Sequence, residues 1–242
     1  MTWVVVPAAG RGLRARAVAN VDAANAGLDD LPKQYQPLAG KPMLQWTLER
    51  LLGHPAITGV MVALAADDRH WPGWQQLLGK PVLTTTGADD RAGSVRAGLT
   101  ALAALPLPVA AEDWVLVHDA ARPCVSASEI DDLFRLGRDD EVGALLALPV
   151  TDSLKQADDH GRSLANLPRE RAWRALTPQL FRLGELAAAL DQARAEGAVI
   201  TDEASAFERL GRHPRLVPGS ANNIKVTRAE DFALAQWLLA RL

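Results

Sequence analysis

The chain of 242 residues predicts an α/β fold, a mostly parallel sheet flanked by helices and built as one domain over residues 1–242. Three observations carry that prediction. Short apolar runs recur without polar alternation, as in strands buried on both faces. Segments of helical period separate them, which is the connection that parallel strands need. A hydrophobic content of 48% over this length is enough for one sizeable core.

In chain order, strands are predicted at residues 3–6, 59–65, 81–85, 114–118 and 142–149, with helices near 42–53, 92–104 and 127–137. Residues 150–171 break this rhythm. They hold two short polar strand candidates around an Asp-Asp-His-Gly turn and read as a β-hairpin arm projecting from the sheet. A two-stranded arm is marginal by itself, so it is expected to pack on another copy of the chain. Helices follow near 182–196, 202–210 and 228–241, with a strand at 215–217. In such a sheet the functional crevice lies at the carboxyl ends of the strands.

Two chemically rich segments fall at those ends. The first is PAAGRGLR, from Pro7 to Arg14, where strand formers empty into a glycine turn; PKQYQPLAGKPML follows from Pro32. Backbone amides around Ala8, Ala9, Gly10 and Gly12 can converge on phosphate oxygens because the glycines permit unusual dihedrals and close approach. Arg14 and Lys33 would add full positive charge where a polyphosphate accumulates negative charge. Gly10, Gly12 and Ala15 also satisfy a loose dinucleotide-binding fingerprint. That fingerprint should open a helix leading to a second strand, whereas residues 16–32 are rich in Ala, Asn and Asp, carry Gly27 and Pro32, and reach no strand.

The second segment, VLVHDAARP, places Asp119 at a strand end and Arg122 three residues later. A carboxylate there can hold a magnesium ion or a ribose hydroxyl, or simply cap a helix, and the arginine can bind a phosphate. TTTGADDRAGSVRAGL puts Ala88, Asp89 and Ser94 at a strand-to-helix passage, where backbone groups can read a base edge and Ser94 either donates to a phosphate or sits in an ordinary first turn. TDEASAFERLG reads as a capping-box-like helix start from Thr201. In NNIKVT, Lys225 lies between Ile224 and Val226 and either snorkels to the surface or points into the site.

Composition excludes other classes. The net charge of −3 and the lack of a basic block argue against nucleic acid or anionic membrane as a partner. The longest Ala/Leu-rich stretch, residues 97–111, is interrupted by Gly98, Pro106 and Pro108 and is too short to span a bilayer. The single cysteine, Cys124, excludes an internal disulfide and a cysteine zinc cluster, and the N-terminus lacks the basic region of a secretory signal; both fit a cytoplasmic protein.

Taken in order, PAAGRGLR, PKQYQPLAGKPML, VLVHDAARP, ALTPQ, ITDEASA and NIKVT closely resemble the 2-C-methyl-D-erythritol 4-phosphate cytidylyltransferases of the non-mevalonate isoprenoid pathway, from about residue 3 to the C-terminus. The first two motifs resemble those of many sugar-nucleotide transferases, whereas HDAARP together with TDEASA and NIKVT is far more specific. The resemblance implies a Rossmann-like nucleotidyltransferase fold and attack by a methylerythritol phosphate oxygen on the α-phosphorus of CTP, without a covalent enzyme intermediate. It further implies that Arg14 and Lys33 stabilise the triphosphate charge beside a magnesium ion, that Ala8, Ala9, Gly10, Gly12, Ala88, Asp89 and Ser94 hold the nucleotide, and that Asp119 contacts ribose or the metal. Arg122, Ser153 and Thr177 would face the second substrate, which Arg169 and Lys225 would position, with Arg169 reaching a partner subunit of a homodimer through the arm. Two departures stand out: eighteen residues separate Arg14 from Lys33, more than is usual in the family, and Ser153 replaces a customary threonine. Competing readings are a cytidylyltransferase for another polyol phosphate such as ribitol phosphate, a nucleotide-binding regulatory protein without turnover, and a dinucleotide-dependent oxidoreductase.

Overall fold

A computed structural model describes residues 1–10 and 31–241. The central element is β1 (Trp3–Pro7), whose Val4, Val5 and Val6 are fully buried. Both faces of the sheet are covered, which is why these strands read as continuous apolar runs. Val4 and Val6 face Leu44 and Leu48 of α1 (Met43–Leu52) and Ile130 and Leu133 of α3 (Ala127–Gly137). Val5 faces the opposite cluster, with Val95 and Leu99 of α2 (Arg91–Ala103) and Leu186 and Leu190 of α4 (Leu183–Ala195).

β1 pairs in parallel with β4 (Gly59–Leu64) on one side and β7 (Trp114–Val117) on the other, with Val5 opposite both Met61 and Val117. β6 (Lys80–Thr86) extends the sheet beyond β4 in parallel, and β5 (Gln76–Leu77) closes that edge antiparallel. On the other flank, β11 (Trp173–Arg182) lies antiparallel between β7 and β8 (Ala144–Pro149), and β12 (Arg215–Pro218) pairs in parallel with β8. The order is β12-β8-β11-β7-β1-β4-β6-β5, a mixed and mostly parallel sheet as expected. A short ladder of β2 (Pro37–Leu38) and β3 (Lys41–Pro42) precedes α1. Helices α5 (Glu203–Glu208) and α6 (Ala229–Leu239) complete the chain.

β11 corrects the sequence reading, which assigned no strand between the arm and α4. Pro178 argues against a central strand because it cannot donate to a ladder. The pairing of β11 with β8 breaks between Ala175 and Gln179, so the proline falls in the gap. The arm itself forms as predicted: β9 (Leu154–Ala157) pairs antiparallel with β10 (Ser163–Leu167) as a separate two-stranded sheet. Its turn is an Asx structure, in which Asp158 Oδ1 accepts from the amides of His160 and Arg162 and Gly161 takes φ +75°. The arm leaves Leu164 and Leu167 exposed. Among the described residues no helix is long and apolar enough to cross a membrane.

Candidate active site

The chain leaves β1 toward β4 and β6 on one side and then returns to β7 on the other, so the strand order reverses at β1 and a crevice opens at the carboxyl ends there. That crevice is an open cleft of about 250 Å³, walled by Pro7 to Gly10, Lys33 and Gln34, Ala88 to Arg91, Ser94, Asp119 to Ala121 and Lys225. Residues from five separated sequence motifs thus share one wall.

Each motif is held in place by its own hydrogen bonds. The Ala8 amide donates to Ala63 O at 2.8 Å, and the Gly87 amide to Leu64 O at 2.7 Å, so the turns after β1 and β6 continue the sheet outward. A Cβ at Gly87 would stand 2.8 Å from both Ala9 Cβ and Ser94 Oγ, so only glycine lets these turns meet. Ser94 is buried, and its hydroxyl accepts from the Ala88 amide at 3.0 Å and lies within donating distance of the Ala88 and Asp90 carbonyls. Its hydroxyl therefore shapes the turn after β6. Asp90 caps α2 by accepting from the Gly93 amide at 2.6 Å, which leaves Asp89 on the cleft wall.

On the opposite lip, the buried Gln34 donates through Nε2 to Ala8 O at 2.9 Å and Gly10 O at 3.4 Å, pinning the lysine segment to the glycine turn. Lys33 Nζ donates to Val226 O at 2.6 Å, and the Val226 amide donates to Ala121 O at 2.8 Å. These bonds gather the PKQ, DAARP and NIKVT segments at one place. Gly12 and Arg14 lie outside the described residues.

Asp119 is the centre of the charge. Its Oδ1 accepts from Arg91 Nε at 3.0 Å, while its Oδ2 lies 2.9 Å from Lys225 Nζ and 3.5 Å from Arg122 Nε. Burial pushes this carboxylate up, but Arg91, Lys225 and Arg122 outweigh it and hold Asp119 well below the usual carboxylate range. Arg91 in turn forms a two-pronged pair with Glu203, Nη1 to Oε1 at 2.6 Å and Nη2 to Oε2 at 3.0 Å. Glu203 is fully buried, and burial raises its pKa against the pull of Arg91.

The backbone of Asp119 is fixed as firmly. Its amide donates to Thr177 Oγ1 at 3.0 Å, and that hydroxyl lies 3.1 Å from His118 Nδ1. The carbonyl of Arg122 can only accept, so His118 Nε2 carries the proton and donates to it at 3.0 Å, and the unprotonated Nδ1 of the neutral ring accepts from the Thr177 hydroxyl. Burial lowers the His118 pKa to about 4, so the imidazole is neutral and the chain of donors is unambiguous. Thr177 and Arg122 are both buried: Thr177 supports Asp119, and Arg122 donates to Asn223 O at 2.7 Å behind the cleft wall. Ser153 and Arg169 lie on the exposed arm, where Arg169 Nη1 donates to Thr151 O at 2.6 Å, and neither lines the cleft of its own chain.

Sequence reasoning passed over Arg91, Glu203, His118, Gln34 and Gln179. The helix start at TDEASA also shifts: Asp202, not Thr201, is the N-cap, accepting from the Ser205 amide at 3.0 Å. With Asp202 used as the cap, the next acid, Glu203, turns into the core. Buried Gln179 fastens this start, donating to Asp202 Oδ2 and accepting from the Ala204 amide, each at 2.9 Å. The available signal was the pairing of an ADDR and a TDEA segment, a basic and an acidic residue at two helix starts.

Among the described residues no group of three or more His, Cys, Asp or Glu side chains converges as a metal cage. The cleft offers the carboxylate of Asp119, a donor set that suits magnesium held chiefly by substrate phosphates.

The sequence model described as 2-C-methyl-D-erythritol 4-phosphate cytidylyltransferase matches residues 2–241. A cytidylyltransferase of that name from Stenotrophomonas maltophilia (strain K279a) is 51% identical over 239 residues, covering 99% of this chain and 97% of the relative. One from Xanthomonas campestris pv. campestris (strain 8004) is 50% identical over 238 residues, covering 98% and 84%. Among solved structures, a 4-diphosphocytidyl-2C-methyl-D-erythritol synthase superposes with a TM-score of 0.81 at 32% identity, covering 98% of each chain. The Francisella tularensis 2-C-methyl-D-erythritol 4-phosphate cytidylyltransferase gives 0.79 at 33% identity, covering 98% and 99%.

Proposed function

Because the chain belongs to the 2-C-methyl-D-erythritol 4-phosphate cytidylyltransferase family, its reaction is transfer of CMP from CTP to 2-C-methyl-D-erythritol 4-phosphate, and we propose that this happens in the cleft around Asp119. The products are 4-diphosphocytidyl-2-C-methyl-D-erythritol and pyrophosphate, in isoprenoid precursor biosynthesis. The observation that carries the assignment is the convergence of Lys33, Lys225 and Asp119 at an open cleft beside a glycine turn.

The chemistry asks for charge more than for proton transfer. A phosphate monoester oxygen is already anionic near neutral pH, so it can attack the α-phosphorus without a base. One P–O bond forms to that oxygen, and the α–β bridging bond breaks with its electron pair leaving on pyrophosphate. The obstacle is repulsion between two polyanions, roughly 4 kcal/mol for each pair of unit charges about 4 Å apart near a protein surface. Lys33 and Lys225 supply positive charge against it, and Arg14 is proposed to act with Lys33 on the triphosphate. The backbone at Ala8, Ala9, Gly10, Gly12 and Ala88, with Asp89, is proposed to hold the nucleotide, and Ser94 to shape its turn. Lys225 releases Asp119 to meet the incoming phosphate. A magnesium ion, held by Asp119 and phosphate oxygens, would neutralise charge between the substrates.

Arg169, with Ser153 of the same arm, is proposed to act in a second copy of the chain. The arm is a free two-stranded sheet bearing exposed Leu164, Leu167 and, at its base, Trp173, which supports its packing on a partner in a homodimer. Thr177 and Arg122 are proposed to orient the second substrate through Asp119.

Lys225→Ala tests the arrangement. It is expected to lower kcat/KM for methylerythritol phosphate about a hundredfold while leaving CTP affinity within about threefold. Unchanged turnover would remove Lys225 from the site, and normal turnover of Arg14→Ala would do the same for Arg14.

A further inference from the structure

We propose that Arg91 and Glu203 are positioning residues for the transfer, clamping Oδ1 of Asp119 so that Oδ2 and Lys225 face the second substrate. The inference rests on the function just given and concerns two residues to which it assigns no role.

Stability alone does not call for a carboxylate at residue 203. Glu203 is fully buried, and burying an ion pair commonly gains less than well-packed apolar side chains of the same volume. What the pair provides is geometry. The guanidinium is planar, and all three of its nitrogens are engaged: Nη1 and Nη2 by Glu203, and Nε by Asp119 at 3.0 Å. Fixing one edge against an immovable carboxylate therefore fixes the direction of the third. Glu203 is immovable because Gln179 and the Asp202 cap lock the start of its helix.

The consequence falls on Asp119. Its amide is tied to Thr177 and its Oδ1 to Arg91, so its rotation is stopped at both ends. The remaining oxygen meets Lys225, whose side chain is 44% exposed against 9% for Asp119. Lys225 is thus the mobile member of a pair whose other member is rigid. Lysine at residue 91 would keep the charge and lose the fork, so it could not replace the arginine. Arg91 is also the first residue of α2, directly after the turn proposed to hold the nucleotide, so one rigid unit sets both halves of the cleft.

The experiment is steady-state kinetics of the full-length enzyme carrying R91Q and E203Q together, which removes both charges and leaves neither buried alone. The expected result is a KM for methylerythritol phosphate raised about tenfold and a kcat lowered about tenfold, with KM for CTP within about twofold of the parent. A purely structural pair predicts otherwise: activity tracking the folded fraction seen by circular dichroism, with KM for methylerythritol phosphate unmoved, and that result overturns the proposal. If the double variant does not fold, E203Q alone, which keeps Arg91 and one acceptor oxygen, is measured against the same two outcomes. A parent enzyme that released no pyrophosphate from CTP and methylerythritol phosphate would instead overturn the functional reading.

Discussion

At Asp119, burial and charge pull in opposite directions, and three cations decide the outcome, keeping the carboxylate ionised near neutral pH. That removes it as a general base and suits a reaction whose nucleophile needs none. Its neighbour His118 shows the opposite balance, since burial dominates and drives its pKa down to about 4. An unfolded histidine protonates near 6.5, so between pH 6.5 and 4 the unfolded chain binds more protons than the folded one. Stability from this residue is complete above about pH 6.5 and is lost as pH falls, by up to about 3 kcal/mol. Glu203, raised by burial, has the opposite slope above its unfolded pKa, so the contribution of His118 is read as a difference. Melting temperatures from pH 7 to 4 should fall less for His118→Gln than for the parent; parallel curves would contradict a buried neutral imidazole. At this scale the sequence revealed residues that stand in motifs, such as Lys33, Asp119 and Lys225. It did not reveal Arg91 and Glu203, because their significance lies in meeting each other across 112 positions.

Among the elements, α2 shows how close packing positions the cleft wall that carries Ala88, Asp89 and Ser94. A Cβ on Gly98 would stand 2.5 Å from Val5 Cγ1, so α2 lies on β1 at a distance only glycine permits. Gly98→Val should destabilise the protein by about 3 kcal/mol, read as a lower urea midpoint; an unchanged midpoint would contradict this contact. The parallel strands were legible because burial on both faces leaves them uniformly apolar. β11 was not legible because it runs from the exposed base of the arm to a buried core, carries Pro178, and keeps its place through a register break that no local pattern displays. The arm was legible because its turn chemistry is local, with Asp158 and Gly161 sufficient to form it.

For the whole molecule, the open question is where Arg169 acts. It stands on an arm that projects from the sheet domain and does not line the cleft of its own chain. If the arm is exchanged, mixing two inactive proteins restores activity. A dimer of one Arg169→Ala and one Lys225→Ala subunit holds one cleft with both residues intact, so random reassociation of equal amounts should recover about a quarter of parental activity. No recovery from mixed dimers would place Arg169 in its own subunit's site. The fold class and the general reaction were legible at this scale because ordered motifs lie at strand ends, where a mostly parallel sheet opens its crevice. The charge network around Asp119 was legible only in three dimensions.

The most direct test of the account is pyrophosphate release from CTP and magnesium, with methylerythritol phosphate and ribitol phosphate supplied separately to the purified chain. Release is expected with methylerythritol phosphate and none above background with ribitol phosphate. Release only with ribitol phosphate, or silence with both, would contradict it.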